Sequence, residues 1–348
     1  MHHDIWTLQE IQAQPQVWNE CLNRLHSTNL SGLIAGREPE KSDWIFVGCG
    51  TSFYLAQAAA FSLKLLLDVP AHAVPASEIL LFPALALPEG QRPYFPILIS
   101  RSGHTSEILE VARFLQSQGI SFLVVTCDGC ELKDMTPRLL QLPVVEKSTV
   151  MTSSFTAMLL GLQYLAATLA GKMDFLQALR TLPSELTRLL EVYTPQIEAF
   201  AQNDLEHVAI LGQGALYPIA SETALKVMES SSTYAQHFHT LEFRHGPKSV
   251  AGPKTLVGAL LSETGFEQEV AVLKEMKTLG ARTMAVANEA SHSLQQSADL
   301  LIELGLSVPE LARIPIYVVW GQLFGSYRGL AKGLDPDHPT NLTRVVTF

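Results

Sequence analysis

Charged side chains are scarce in this 348-residue chain, 17% of residues against 47% hydrophobic. Basic ones are scarcer still: 24 Lys and Arg face 34 Asp and Glu, for a formal net charge of −10. Nucleic acids and anionic membrane surfaces are recognised by clustered positive charge, so neither is an expected partner. A small anionic substrate stays possible, because a local site can oppose the global charge. Four cysteines are too few for a disulfide scaffold. Cys127-Asp-Gly-Cys130 is a lone C-x-x-C without a second pair or spaced histidines, so it reads as a strand end and turn, and no metal is expected. No run of 18 apolar residues is present, so no membrane span is expected. The first residues have no charged segment ahead of an apolar core; a secretory signal is not expected, and the expected location is cytoplasmic. Residues 5–32 read as a packing helix with few charges and no basic recognition face, which counts against a transcription regulator.

The chain does carry a repeated frame. Gly48, Gly50 and Ala56 recur 164 residues on as Gly212, Gly214 and Ala220, and Glu78 recurs as Glu242. Each copy is an apolar run, a Gly-x-Gly and an amphipathic segment: a buried strand turning tightly into a helix whose first N–H groups can face an anion. A third glycine would make this a dinucleotide fingerprint, but position 53 is Phe and no acidic residue ends the next strand, so a nicotinamide cofactor is not expected. A dehydrogenase is therefore the most distant reading.

Strands are expected at 44–48, 70–74, 95–100, 121–126 and 140–144, with helices at 52–68, 77–82 (Ser77 as N-cap) and 106–118. Strands alternating with helices predict an α/β fold with a mostly parallel sheet covered on both faces. Long helices over 151–170 and 173–202, the second broken at Pro183 and Pro195, connect to a second half. That half echoes the first with strands at 208–211, 255–261 and 282–287, and a last helix spans 309–331. The expected organisation is an N-terminal arm (1–36), two similar domains (37–185 and 186–334) and a C-terminal tail (335–348) closing on the active site.

Three stretches carry candidate chemistry. Ser100-Arg101-Ser102-Gly103-His104-Thr105 gathers three hydroxyls and the amides of a strand-to-helix turn, a basin suited to phosphate, although Ser and Thr are equally common as plain helix caps. The matching Ser262-Glu263-Thr264-Gly265 places a carboxylate in the turn, so one phosphate site per chain is expected, in the first half. Glu222, Lys226 and Glu229 share one face of an otherwise apolar helix, as either a surface ladder or the wall of a cleft where a carboxylate moves protons. Glu242-Phe-Arg244-His245-Gly-Pro247-Lys248 is the densest ionisable cluster, and its histidine can exchange protons at neutral pH. His237-x-His239 invites a metal reading but lacks a further ligand.

Gly48-Cys49-Gly50-Thr51-Ser52, Ser100–Thr105, Ala224-Leu-Lys226-Val-Met-Glu229 and Phe243-Arg-His245-Gly-Pro-Lys-Ser249 together resemble the sugar isomerase (SIS) proteins with two tandem SIS domains. Met151-Thr-Ser-Ser154, Arg244–Ser249 and Asn341-x-x-Arg344 resemble the AgaS-type branch, related to the isomerase half of glucosamine-6-phosphate synthase. The resemblance covers nearly the whole chain. It implies two five-stranded, three-layer αβα domains and a sugar 6-phosphate substrate. It assigns Ser100, Ser102 and Thr105 to the phosphate, with Cys49, Gly50, Thr51, Ser52, Arg101 and Arg344 at the substrate. Glu229 matches the base that carries a proton between C1 and C2, Lys226 its neighbour, and His245 a ring-opening histidine reaching the other subunit of a homodimer. No cofactor is implied. The implied activity is aldose–ketose isomerisation of a hexosamine 6-phosphate with loss of ammonia; the alternatives are isomerisation of a non-amino sugar phosphate and a non-catalytic phosphosugar sensor. Two departures stand out. Arg344 lies where the synthase has a Schiff-base lysine, which a guanidinium does not replace. A chain starting Met1-His2-His3 leaves no room for the synthase's glutaminase, so use of glutamine is not expected.

Overall fold

A computed structural model describes residues 4–87, 93–128 and 131–347. Cys130, the second member of the C-x-x-C, lies outside the described residues. Strands β1 (Asp43–Gly48), β2 (Ala71–Pro75), β3 (Tyr94–Ile99), β4 (Leu123–Thr126) and β5 (Leu139–Gln141) form one sheet in the order β2-β1-β3-β4-β5. Strands β6 (His207–Gly212), β7 (Tyr234–His239), β8 (Thr255–Leu260), β9 (Arg282–Ala287) and β10 (Leu300–Glu303) form the other, in the order β10-β9-β8-β6-β7. Every neighbouring pair is parallel. Counted within each half, the two orders are the same, so the repeat seen in the glycines is a repeat of topology. Central strands are mostly apolar, as parallel sheets covered on both faces require: all six residues of β8 are buried. The result is the expected α/β architecture of two five-stranded sheets flanked by helices.

The chain divides into two compact units. The first-sheet unit comprises Ala13–Glu146, Ser153–Thr181 and the residues from Thr343; the second-sheet unit comprises the residues up to Gln12, Lys147–Thr152 and Leu182–Leu342. In the second-sheet unit, Asp337 closes the start of helix Trp6–Gln12. Its carboxylate accepts from the Trp6 amide at 2.8 Å, the Thr7 amide at 2.7 Å and the Thr7 hydroxyl at 2.6 Å. These are the orphan donors of a helix N-terminus, and a carboxylate there also suits the helix dipole.

Several elements differ from expectation. Residues 5–32 form three helices, Trp6–Gln12, Gln14–Ser27 and Leu30–Leu33. The 173–202 segment is one helix, Met173–Phe200, running through both Pro183 and Pro195. An interior proline costs about 3 kcal/mol, but Leu179, Leu182, Leu186, Leu189 and Ile197 bury a continuous stripe that outweighs it. Ser77 lies inside helix Ala76–Leu81 rather than capping it, and the turn begins at Pro75. β7 and β10 have no counterpart among the three strands read in the second half. β7 is an edge strand with polar alternation, and the apolar part of β10 ends at Ile302, too short a run to stand out.

Helix Glu310–Ala331 crosses helix Tyr217–Ser231 on a strip of glycine. A Cβ on Gly321 would lie 2.3 Å from Thr223 Cγ2, on Gly325 2.8 Å from the Lys226 carbonyl, and on Gly329 2.1 Å from the Ser230 carbonyl. Only hydrogen side chains permit this approach, which fixes the height of the Lys226 helix.

Candidate functional site

In open parallel sheets, ligands bind beyond the carboxyl ends of the strands where the order reverses. In the first sheet that point lies between β1 and β3, which run side by side. β1 ends in the glycine turn. A Cβ on Gly48 would sit 2.3 Å from the Ser52 carbonyl, and Gly50 has φ +53°. Helix Thr51–Leu67 starts directly from it, with Thr51 and Ser52 buried at its first turn. Cys49 is half-buried, and burial, with Glu107 nearby, pushes its thiol up to about 12. This makes it a poor nucleophile.

β3 ends in the hydroxyl loop. Ser100 Oγ accepts from the Gly103 amide at 3.0 Å and lies 3.3 Å from Thr105 Oγ1, while Ser102 Oγ accepts from the His104 amide at 3.2 Å. The loop is thus a tight basin at the start of helix Ser106–Ser117. Arg101, between the serines, is buried, its guanidinium on Glu146 at 3.2 Å and on the Arg344 carbonyl at 3.3 Å. Arg344 itself is 40% exposed, with its guanidinium 3.9 Å from Asp128.

The second-sheet unit repeats the turn. A Cβ on Gly212 would lie 2.5 Å from the Leu216 carbonyl, and Gly214 has φ +55°. Helix Tyr217–Ser231 follows and carries the triad. Lys226 is 1% exposed; its ammonium pairs with Glu222, fully buried, at 3.3 Å and with Glu229, whose side chain is 19% exposed. Desolvation alone would lower the Lys226 pKa, but the two carboxylates outweigh it and hold the ammonium above its usual value. Glu229 is therefore the one member of a buried charge cluster with access to solvent. His245 stands at the end of the 3₁₀ turn Glu242–Arg244, exposed, and Arg244 and Lys248 both pair with Glu275.

The second hydroxyl loop is closed from within. Glu269 accepts from the Ser262 amide at 2.7 Å and the Ser262 hydroxyl at 2.8 Å. Burial raises the Glu269 pKa against those hydrogen bonds. Glu263, the residue that suggested repulsion, instead pairs with the buried Arg313. A cavity of about 620 Å³ beside this loop is lined by Glu263, Glu267 and Glu289 among neutral residues, a setting unsuited to phosphate. His237 and His239 project beside Tyr217: the His237 ring meets the Ser221 hydroxyl at 2.9 Å, and the His239 ring stacks on Tyr217 at 3.7 Å. Among the described residues no group of three His, Cys, Asp or Glu is placed to hold a metal ion. Glu146 and Glu269 were not singled out from sequence. Each sits in the chain without a periodic signal and acquires its role only through a partner brought in by the fold.

The SIS domain family model matches residues 40–168 and 203–314. The isomerizing glutamine–fructose-6-phosphate aminotransferase of Methanothermobacter thermautotrophicus is 26% identical over 355 residues, 99% of this chain and 58% of that protein. Its counterpart from Pseudomonas putida is 28% identical over 363 residues, 98% and 58% respectively. The chain thus spans a little over half the length of these curated relatives. Glucosamine-6-phosphate deaminase from Thermotoga maritima has a similar structure, with TM-score 0.80 and 26% identity, covering 98% of this chain and 99% of that one. Tagatose-6-phosphate ketose/aldose isomerase from Escherichia coli shares the fold, with TM-score 0.84 and 23% identity over 97% and 98%. With two matched regions that take in most of its length, one on each sheet, the chain belongs to the SIS domain family and carries that domain in tandem.

Proposed function

We propose that the chain is a sugar-phosphate isomerase that acts on a hexosamine 6-phosphate and releases ammonia. The observation that carries this reading is the Glu222–Lys226–Glu229 cluster, in which a buried ammonium holds a carboxylate at the solvent edge. Such a pair holds the Glu229 carboxylate in place and aimed, as a base needs. In the proposed reaction the phosphate rests in the Ser100–Ser102–Thr105 basin, with Thr51 and Ser52 at the sugar. His245, supplied by the second subunit of a homodimer, assists ring opening. Glu229 then takes the C2 proton of the open aldose and returns it to C1 through an enolamine. The resulting ketimine adds water at C2, and the C–N bond breaks to leave a ketose phosphate and ammonia. With arginine at 344, no covalent imine to that residue enters the scheme. The similarity to the Thermotoga maritima deaminase over whole chains supports nitrogen release; the serine loop and the carboxylate support the phosphosugar.

The test is ammonia release from glucosamine 6-phosphate and galactosamine 6-phosphate by the wild type and by Glu229→Gln. Release that vanishes in the variant supports the reading. Conversion of a neutral aldose phosphate to its ketose without ammonia would restrict the activity to simple isomerisation. Binding without either reaction would overturn the catalytic reading.

A further inference from the structure

The residue between the two loop serines is built into the protein rather than offered to a ligand. The Arg101 carbonyl accepts from the Thr126 hydroxyl and from the Cys127 and Asp128 amides, each at 3.1 Å. Its guanidinium, 6% exposed, meets Glu146, which is 1% exposed. Glu146 is held in turn by the Ser154 amide at 2.8 Å and the Ser154 hydroxyl at 2.5 Å. Two of the guanidinium nitrogens are thus used in different directions: Nη1 on Glu146, and Nη2 on the carbonyl of Arg344 at 3.3 Å. Two residues further along the tail, the Val346 carbonyl accepts from the Ser106 amide at 3.3 Å. Ser106 opens the helix that follows the hydroxyl loop. The tail segment therefore docks through its main chain on the same few residues that shape the phosphate basin.

We infer that Arg101 is a positioning residue and not a phosphate ligand: aligned by Glu146, it latches the tail through the Arg344 carbonyl beside the hydroxyl loop. The fork geometry is what makes this possible. A guanidinium donates in two directions at once, whereas a lysine ammonium on a flexible stem would keep Glu146 and release the carbonyl. The positive charge of Arg101 is already matched by a buried carboxylate, so it adds little to the attraction of an anion. Phosphate affinity then rests on hydroxyls and amides. This inference rests on reading Ser100–Thr105 as the phosphate loop, and its test separates the two.

The tail carbonyl in question belongs to the Arg344–Val345 peptide bond, which is the bond trypsin cleaves. The variants are Arg101→Lys and the charge-neutral pair Arg101→Gln with Glu146→Gln, which leaves no uncompensated buried charge. Limited trypsinolysis followed by mass spectrometry reads loss of the segment after Arg344, and calorimetry with inorganic phosphate reads the basin. Both variants should be cut there about tenfold faster than the wild type or more, the change expected when one hydrogen bond from a charged donor is lost and cleavage tracks the open population. Phosphate affinity should stay within about twofold, since no ligand charge is removed. Once a substrate is in hand, kcat should fall more than KM rises. Unchanged cleavage with phosphate affinity lost would overturn the inference and make Arg101 a ligand. If the double variant does not fold, Arg101→Lys alone decides through the same cleavage rate. Failure of the wild type to bind phosphate would count against the loop reading, while the cleavage arm still judges the latch.

Discussion

Gly329→Ala places a methyl group 2.1 Å from the Ser230 carbonyl, so the two helices must part by at least 0.9 Å to reach even the 3.0 Å floor of real contacts (3.0 − 2.1). Alanine favours a helix over glycine by about 1 kcal/mol. Overpacking against a well-packed neighbour costs about 1–3 kcal/mol, and a backbone carbonyl leaves no rotamer by which to relieve it. With the clash at the upper end of that range, the net loss is about 2 kcal/mol (3 − 1), or a fall in Tm of about 4–8 °C for a unit of this size. Ser230 adjoins Glu229, so the same displacement moves the proposed base; a 1 Å misplacement can cost about a hundredfold in rate. Gly321→Ala provides the contrast. Its clash is with Thr223 Cγ2 at 2.3 Å, a side-chain atom. Adding Thr223→Ala should restore much of the lost stability there, and none in Gly329→Ala, as a double-mutant cycle by thermal melting will report. A Gly329→Ala protein that melts at or above the wild type would refute the packing argument.

Three further outcomes are expected. Burial, and His239 beside it, hold His237 below its ordinary pKa, with Tyr217 and the Ser221 hydroxyl also facing it; the unfolded chain therefore takes up a proton near pH 6.5 that the folded one resists. Stability should drop as pH falls below that value, so the urea midpoint should fall between pH 7.5 and 5.5, and less so in His237→Asn. With its thiol pushed up to about 12, Cys49 should resist iodoacetamide at pH 8 in the native protein and react promptly once unfolded, as peptide mapping would show. Gly50→Ala, at φ +53° and ψ −125°, should lose about 1–3 kcal/mol to backbone strain; an unchanged denaturation midpoint would contradict this.

The glycine repeat made the fold legible because its cause is local. Gly48 and Gly212 face the carbonyl four residues on, and that constraint is written into any strand turning so sharply into a helix. The first four strands of the first half and the strand pattern of β6, β8 and β9 were likewise visible as apolar runs. β7 escaped because an edge strand has one face to cover and alternates Tyr, Gln and His. The triad was readable as a spacing on one helix, but its burial was not, since that depends on glycines a hundred residues away on the crossing helix. A glycine every fourth residue from Gly321 to Gly329 was the available signal. The expectation of an unsuited second loop pointed to Glu263, whereas the side chain that fills it is Glu269, in the first turn of the helix that follows. Arg101 is placed at the substrate by the resemblance alone; its contacts with Glu146 and the Arg344 carbonyl join residues 45 and 243 apart and leave no local signal.

The Asp337 cap has a consequence for how the protein is made. A seven-residue helix is far too short to persist alone, and the carboxylate that closes it is 330 residues downstream of Thr7. At translation rates of about 5–20 residues per second, Trp6–Gln12 waits on the order of tens of seconds for its partner to leave the ribosome. Synthesised 330 residues ahead of its cap, this segment is locked in place late. During that interval the segment is a handle that chaperones and proteases can reach, and its protection marks the moment the chain has been read through to residue 337.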